Sequence, residues 1–114
     1  MVACLVTMLL LHVPGRAVAQ DYFVPTPDAD SADPLIIAQA AALGNDPVRL
    51  FAFVRDEIAH ESYQGSLRGA RGALWTRAAN SVDRASLLVA LLRASNVAAR
   101  YVRGTLPEER LQEL

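Results

Sequence analysis

Few side chains in this sequence could carry out covalent chemistry. There is one thiol, Cys4, and there are two imidazoles, His12 and His60. Cys4 lies in the uncharged run Ala3–Leu11 (ACLVTMLLL), too near the start for a lipoprotein cysteine. A serine can act as nucleophile only with a base in hydrogen-bond reach, because its hydroxyl is not ionised near neutral pH. Ser81 opens the helical pattern that forms the hydrophobic centre of the chain, and His60 lies at the end of the preceding helical pattern. The plainer role for Ser81 is a helix N-cap, worth about 1 kcal/mol. His60 near a helix C-terminus is expected to interact with the dipole there. Asp83 and Arg84 could line a cleft, although charges on a first helical turn ordinarily face water. Tyr63 and Trp75 could stack on a ligand, but lone aromatics in a small domain more often anchor its core or loops.

A second candidate is the stretch Ser62–Gly72 (SYQGSLRGARG), with three glycines and two arginines. It invites a phosphate-loop reading, with backbone N–H groups, Arg68 and Arg71 facing an anion. The spacing Gly65-x3-Gly69-x2-Gly72 lacks the Gly-Lys-Ser/Thr that such loops use, so a glycine-permitted loop is the expectation. No cofactor motif is present. A single cysteine also rules out structural zinc sites built from several thiolates.

Composition narrows the class. The chain has 114 residues, which allows one domain, and 53% of them are apolar, which excludes a disordered tail. The formal net charge of -1 gives no basic excess for displacing counterions from nucleic acid. The run Ala3–Leu11, the breaker pair Pro14-Gly15 and the small-x-small end Ala17-Val18-Ala19 read as a secretory signal cleaved after Ala19. The run is too short for a membrane span. Export to the periplasm, medium or cell surface is therefore expected. Cleavage would remove Cys4, His12 and Arg16, leaving a chain with no cysteine and with His60 as its one histidine.

The elements that must position these groups follow from spacing. Residues 20–33 (QDYFVPTPDADSAD) hold two prolines and four aspartates without periodicity and read as an exposed leader. Asp33-Pro34 and Asp46-Pro47 open two helices by the same device, a capping carboxylate followed by a proline already at helical φ. Leu35, Ile36, Ala38, Ala40 and Leu43 fill the first helix, and Gly44 ends it. In the second, Phe51, Val54 and Ile58 share a face that Leu50 and Phe53 widen, with Arg55, Asp56 and Glu57 toward solvent. Leu74 and Trp75 anchor a short turn of helix or loop over residues 72–80. Ser81 then caps a helix to about Ser95, with Asp83 in its first turn and Arg93 in its last. That helix is apolar nearly all round and must be covered on most sides. Asn96 can end it, and the alternation in Val97–Gly104 (VAARYVRG) is the one strand candidate. A lone strand has no ladder partner, so the sequence reads as the first half of a larger unit, with residues 107–114 the start of a truncated continuation.

The residues that carry a family resemblance are Asn80–Ser95 (NSVDRASLLVALLRAS) followed by Ala99–Gly104 (ARYVRG). They resemble the core motif of transglutaminase-like domains, in which a nucleophilic Cys at a helix start precedes a Leu-rich helix and Ala-Arg-Tyr-Val-x-Gly. The Asn45-Asp46-Pro47-Val48 opening and the Tyr63–Leu67 stretch are similar to bacterial members. The resemblance covers residues 34–106 and implies an α+β fold with a papain-like core, of which the part present is predominantly α-helical with one C-terminal strand candidate. It also implies a thiolate stabilised by a helix N-terminus, with a downstream His and Asp or Asn completing an acyl-transfer site. Here Ser81 occupies the Cys position, and no His follows Gly104. Catalytic, cofactor and metal residues are therefore assigned as none. The resemblance points to an exported pseudoenzyme-like module with a binding or structural role in a larger surface or secreted protein. Its partner would be the remainder of a longer chain or another protein. The alternative is an acyl-transfer or peptidase domain with Ser81 as nucleophile and its His and Asp in missing sequence.

Overall fold

A computed structural model describes residues 22–111. The proposed signal, residues 1–19, lies outside the described residues. Among the described residues five helices and two short strands follow one another: α1 (Pro34–Ala42), α2 (Pro47–Glu57), β1 (Ala59–His60), α3 (Gly69–Thr76), β2 (Ala78–Ala79), α4 (Ser81–Ala94) and α5 (Glu108–Leu111). The mostly helical content agrees with the expected class.

Both Asp-Pro openings work as their chemistry predicts. The Leu35 N–H donates to the Asp33 carboxylate at 2.8 Å, and the Val48 N–H to Asp46 at 2.9 Å. Gly44 and Asn96 take left-handed conformations (φ 74° and 60°) just past the helices they terminate. With its ends fixed, each helix turns its apolar face inward. Ile36 and Ala40 of α1, Leu50, Phe53 and Val54 of α2, and Ala70, Ala73 and Leu74 of α3 are buried. All three helices pack on α4, whose Leu87, Ala90 and Leu91 are fully buried. Each such leucine contributes about 1.5–3 kcal/mol.

Four expectations need correction. Phe51 leaves the buried stripe of α2 and is 52% exposed, because Leu50, Phe53 and Val54 already fill the face that meets α4. Trp75 is no core anchor; Leu74 points inward and Trp75 is 75% exposed. The segment before α1 is not an exposed leader. Its Ala29 is fully buried, its Asp28 carbonyl accepts from the Ala70 N–H at 2.8 Å, and its Val24 carbonyl accepts from Arg93 at 2.7 Å.

The fourth correction concerns the strand candidate. Val97 and Ala99 are half-buried while Ala98 and Arg100 are exposed, but the alternation stops there, with Tyr101 and Val102 both exposed. The segment also joins no ladder: the Ala99 N–H donates to the Tyr22 carbonyl at 3.2 Å, and the Ala99 carbonyl accepts from Arg93. Extended backbone becomes a strand only beside another strand's N–H and C=O groups. Among the described residues the one ladder is the parallel pair β1–β2, in the register Ala59↔Ala78 and His60↔Ala79. It joins the end of α2 to the start of α4.

Candidate functional site

The N-terminus of α4 is where the Ser81 motif, the glycine-rich loop and β1 meet. Asn80, not Ser81, is the N-cap. Its side-chain oxygen accepts from the Asp83 N–H at 2.9 Å, and its amide nitrogen donates to the Tyr63 and Gly65 carbonyls at 3.0 and 2.8 Å. The Asn80 amide accepts from the helix start while donating twice to the loop, and a serine hydroxyl has only one hydrogen to donate. Ser81 becomes the first helical residue, exposed, and its hydroxyl forms no hydrogen bond among the described residues.

Asp83 reverses its sequence-based reading. It does not face solvent: it is fully buried and accepts from five donors. The Tyr63 hydroxyl donates at 2.6 Å and the Ser66 hydroxyl at 3.1 Å. The backbone N–H groups of Leu67, Arg68 and Gly69 donate at 3.1, 2.8 and 3.1 Å. Those three N–H groups lie at the start of α3, whose local cap, Arg68, offers no side-chain acceptor. The carboxylate therefore caps the start of α3 from across the fold, while the start of its own helix is capped by Asn80. Burial pushes the Asp83 carboxyl up, but the Tyr63 hydroxyl and the three N–H groups outweigh it and hold it below the ordinary carboxylate value. Burial and the bond to Asp83 push the Tyr63 phenol up.

The phosphate-loop reading is resolved by the same geometry. The loop does aim successive N–H groups at an anion, and that anion is Asp83. Gly65 and Gly69 supply the positive φ the cradle needs (70° and 63°), and a Cβ on Gly69 would sit 3.3 Å from the Asp28 carbonyl oxygen. Arg68 and Arg71 are turned away from the cradle. Arg68 donates to Glu61, to the Thr76 hydroxyl and to the Ala78 carbonyl, and Arg71 pairs with Asp33 at 3.0 Å.

Beside Ser81 runs a shallow groove of about 260 Å³ between α2 and α4, lined by Phe51, Val54, Arg55, Arg84, Ala85 and Leu88. Arg84 sits here half-buried, donating to the Val54 and Arg55 carbonyls at 3.1 and 3.0 Å and so closing the open end of α2. Arg55 is engaged by Asp56 at 2.7 Å. Ser81, Ala85, Leu88 and Leu92 recur at helical spacing on one stripe of α4. A second depression, walled by residues 98–102, continues along Ala85, Leu88 and Leu92.

His60 is placed differently from its expected position at a helix end. It lies in β1, opposite Ala79 and so close to the start of α4. It is exposed, as Ser81 is, and no hydrogen bond joins them. Among the described residues no group of three or more His, Cys, Asp or Glu could hold a metal, and no helix is long and apolar enough to cross a membrane.

Sequence reasoning missed Asn80 as the cap and Arg93 as a clamp. The Asn80 signal was local: an Asn one residue before the expected cap, three before an acid. Arg93 was read as a charge on the last turn. It is instead 9% exposed and donates to the Val24 and Ala99 carbonyls, tying the segments before α1 and after α4 together. Comparison with family models matches residues 32–112 to one described as the transglutaminase-like superfamily. Neither the curated proteins nor the solved structures gave a match.

Proposed function

The chain belongs to the transglutaminase-like superfamily, and on that premise we propose that it is a non-catalytic member, exported and serving a binding or structural role in a larger surface or secreted protein. The observation that carries this reading is the state of Ser81. It stands where the family motif places its thiol, at the first turn of α4 and at the edge of a groove. A thiolate would gain there from the free N–H groups of the helix start. A hydroxyl gains too little to ionise and needs a base, and the Ser81 hydroxyl has no hydrogen-bond partner among the described residues. The groove keeps an apolar floor in Phe51, Val54 and Leu88, which suits it to holding a polypeptide of a longer chain or of another protein.

Export is supported by the run Ala3–Leu11 followed by Ala17-x-Ala19. Mass analysis of protein recovered outside the cytoplasm should find Gln20 as the first residue.

The competing reading, an acyl-transfer or peptidase domain with Ser81 as nucleophile, draws on the same exposed hydroxyl at the mouth of the groove. That reading places its His and Asp in missing sequence, so the deciding assay measures incorporation of a fluorescent amine into a glutamine-containing peptide, and hydrolysis of that peptide, by the completed domain and by its Ser81→Ala form. No turnover by either protein is expected. Turnover that disappears in Ser81→Ala would overturn the non-catalytic reading.

A further inference from the structure

Away from the α4 groove, one residue is out of keeping with its neighbours. Trp75, the sole tryptophan of the chain, is 75% exposed on a helix whose adjacent Leu74 is buried. Its indole N–H forms no hydrogen bond among the described residues. The ring is the wall shared by two depressions. One, of about 360 Å³, is floored by Leu35, Ala38 and Leu74 and edged by Arg77. The other, of about 440 Å³, is lined by Arg68, Arg71 and Gly72.

The charges around the ring do not cancel at the surface. Arg71, one turn before Trp75, has a side chain 66% exposed, while the Asp33 that balances it has a side chain only 6% exposed. A partner approaching this face meets the guanidinium and not the carboxylate. Arg77 lies over the Phe53 ring, 4.9 Å from its centroid, and is in no ion pair among the described residues. Arg68 pairs with Glu61 at 2.7 Å, an acid whose side chain is itself exposed. The face is therefore cationic on a protein whose formal net charge is -1. Tryptophan and arginine are the residue types that dominate protein–protein hot spots.

The geometry points to this face as a docking surface for an acidic, extended polypeptide segment, in which carboxylates meet Arg71 and Arg77 and an apolar side chain enters the Leu35–Ala38 depression beside Trp75. Guanidinium groups pair with carboxylates in a planar two-bond geometry, and the indole covers a large apolar area at little entropic cost. An apolar depression and a cationic one on either side of one ring suit a chain that offers both kinds of side chain. A nucleic acid offers no apolar side chain, and a neutral glycan offers no carboxylate. This surface is separate from the Ser81 groove, and the inference stands independently of the function proposed above.

Because Trp75 is the only tryptophan, its emission reports occupancy directly. The full chain would be titrated with fluorescein-labelled extended peptides of alternating Glu-Leu, Gln-Leu and Lys-Leu sequence, at low and high salt, following anisotropy and the unlabelled peptides' effect on tryptophan emission. The expected result is saturable binding of the Glu-Leu peptide with a blue shift, weakened by salt. Affinity should fall about 30-fold in Trp75→Ala, the loss typical of a hot-spot aromatic. Arg77→Asn, which tolerates the left-handed backbone of that position (φ 56°), should also weaken it. Both substitutions are at exposed side chains, and far-ultraviolet circular dichroism checks that the fold is kept. Absence of saturable binding, equal binding of the Gln-Leu peptide, indifference to Trp75→Ala, or a shift produced by neutral oligosaccharides or oligonucleotides and not by the acidic peptide would each overturn the proposal.

Discussion

Replacing Asp83 by alanine tests the central claim about how the α4 N-terminus is built. The substitution removes the acceptor of five hydrogen bonds: two from the hydroxyls of Tyr63 and Ser66, three from the backbone at the start of α3. Bonds to a charged group contribute about 1.5–3 kcal/mol each when taken singly. Their simple sum overstates the loss, because the loop can swing out and let water satisfy its donors. That escape has its own cost: it frees Tyr63 and leaves α3 uncapped, since Arg68 supplies no local acceptor. A net loss of about 2–4 kcal/mol is expected, because the groups left behind are neutral donors that cost about 1–3 kcal/mol each only where water does not reach them. Against a typical total of about 5–15 kcal/mol, much of the protein would be unfolded or loosened. Urea unfolding of the two proteins, followed by circular dichroism, gives the difference. Amide hydrogen exchange should show protection lost first at Leu67, Arg68 and Gly69. A loss under about 1 kcal/mol, of the size expected for an exposed first-turn acid, with those amides still protected, would refute the assignment of Asp83 as the cap of α3.

Further outcomes follow from the same structure. Asn80→Ala should cost about 1–2 kcal/mol and Ser81→Ala within about 0.5 kcal/mol, because Asn80 holds both the cap and the loop carbonyls; the reverse order in thermal unfolding would restore Ser81 as the cap. The lowered Asp83 carboxyl adds stability that is complete above its ordinary value near 3.8 and drains as pH falls through the lower folded value, so Asp83→Asn should flatten acid unfolding in that range. Gly69→Ala combines a positive φ with a carbonyl oxygen 3.3 Å from the new Cβ, and should cost about 1–3 kcal/mol by chemical denaturation. Arg93→Leu should release the segments holding Val24 and Ala99, seen as faster proteolysis before α1 and after α4 while the helical signal is kept.

How much of this was legible in the sequence divides by range. The Asp-Pro helix starts, Gly44 and Asn96 as terminators, and the family motif from Asn80 onward depend on interactions within a few residues or on a linear pattern, and each can be read along the chain. Phe51 and Trp75 were misplaced because periodicity fixes a helix's apolar arc but not which edge of that arc the neighbours cover. The strand candidate alternates from Val97 to Arg100, but a ladder is a property of two segments, and only the fold supplies the second.

Asp83 marks the boundary most clearly. Its sequence neighbours describe an ordinary acid in a first helical turn, and every donor to its carboxylate lies 14 to 20 residues away. A carboxylate chooses burial when enough N–H and O–H groups converge on it to replace water, and that convergence exists only after α3, α4 and the glycine loop have come together. The sequence by itself determined the two Asp-Pro helix starts, the ends at Gly44 and Asn96, and the family. The tertiary structure decided which polar groups are buried, which aromatic ring is left in water, and that the anion in the glycine cradle is the protein's own.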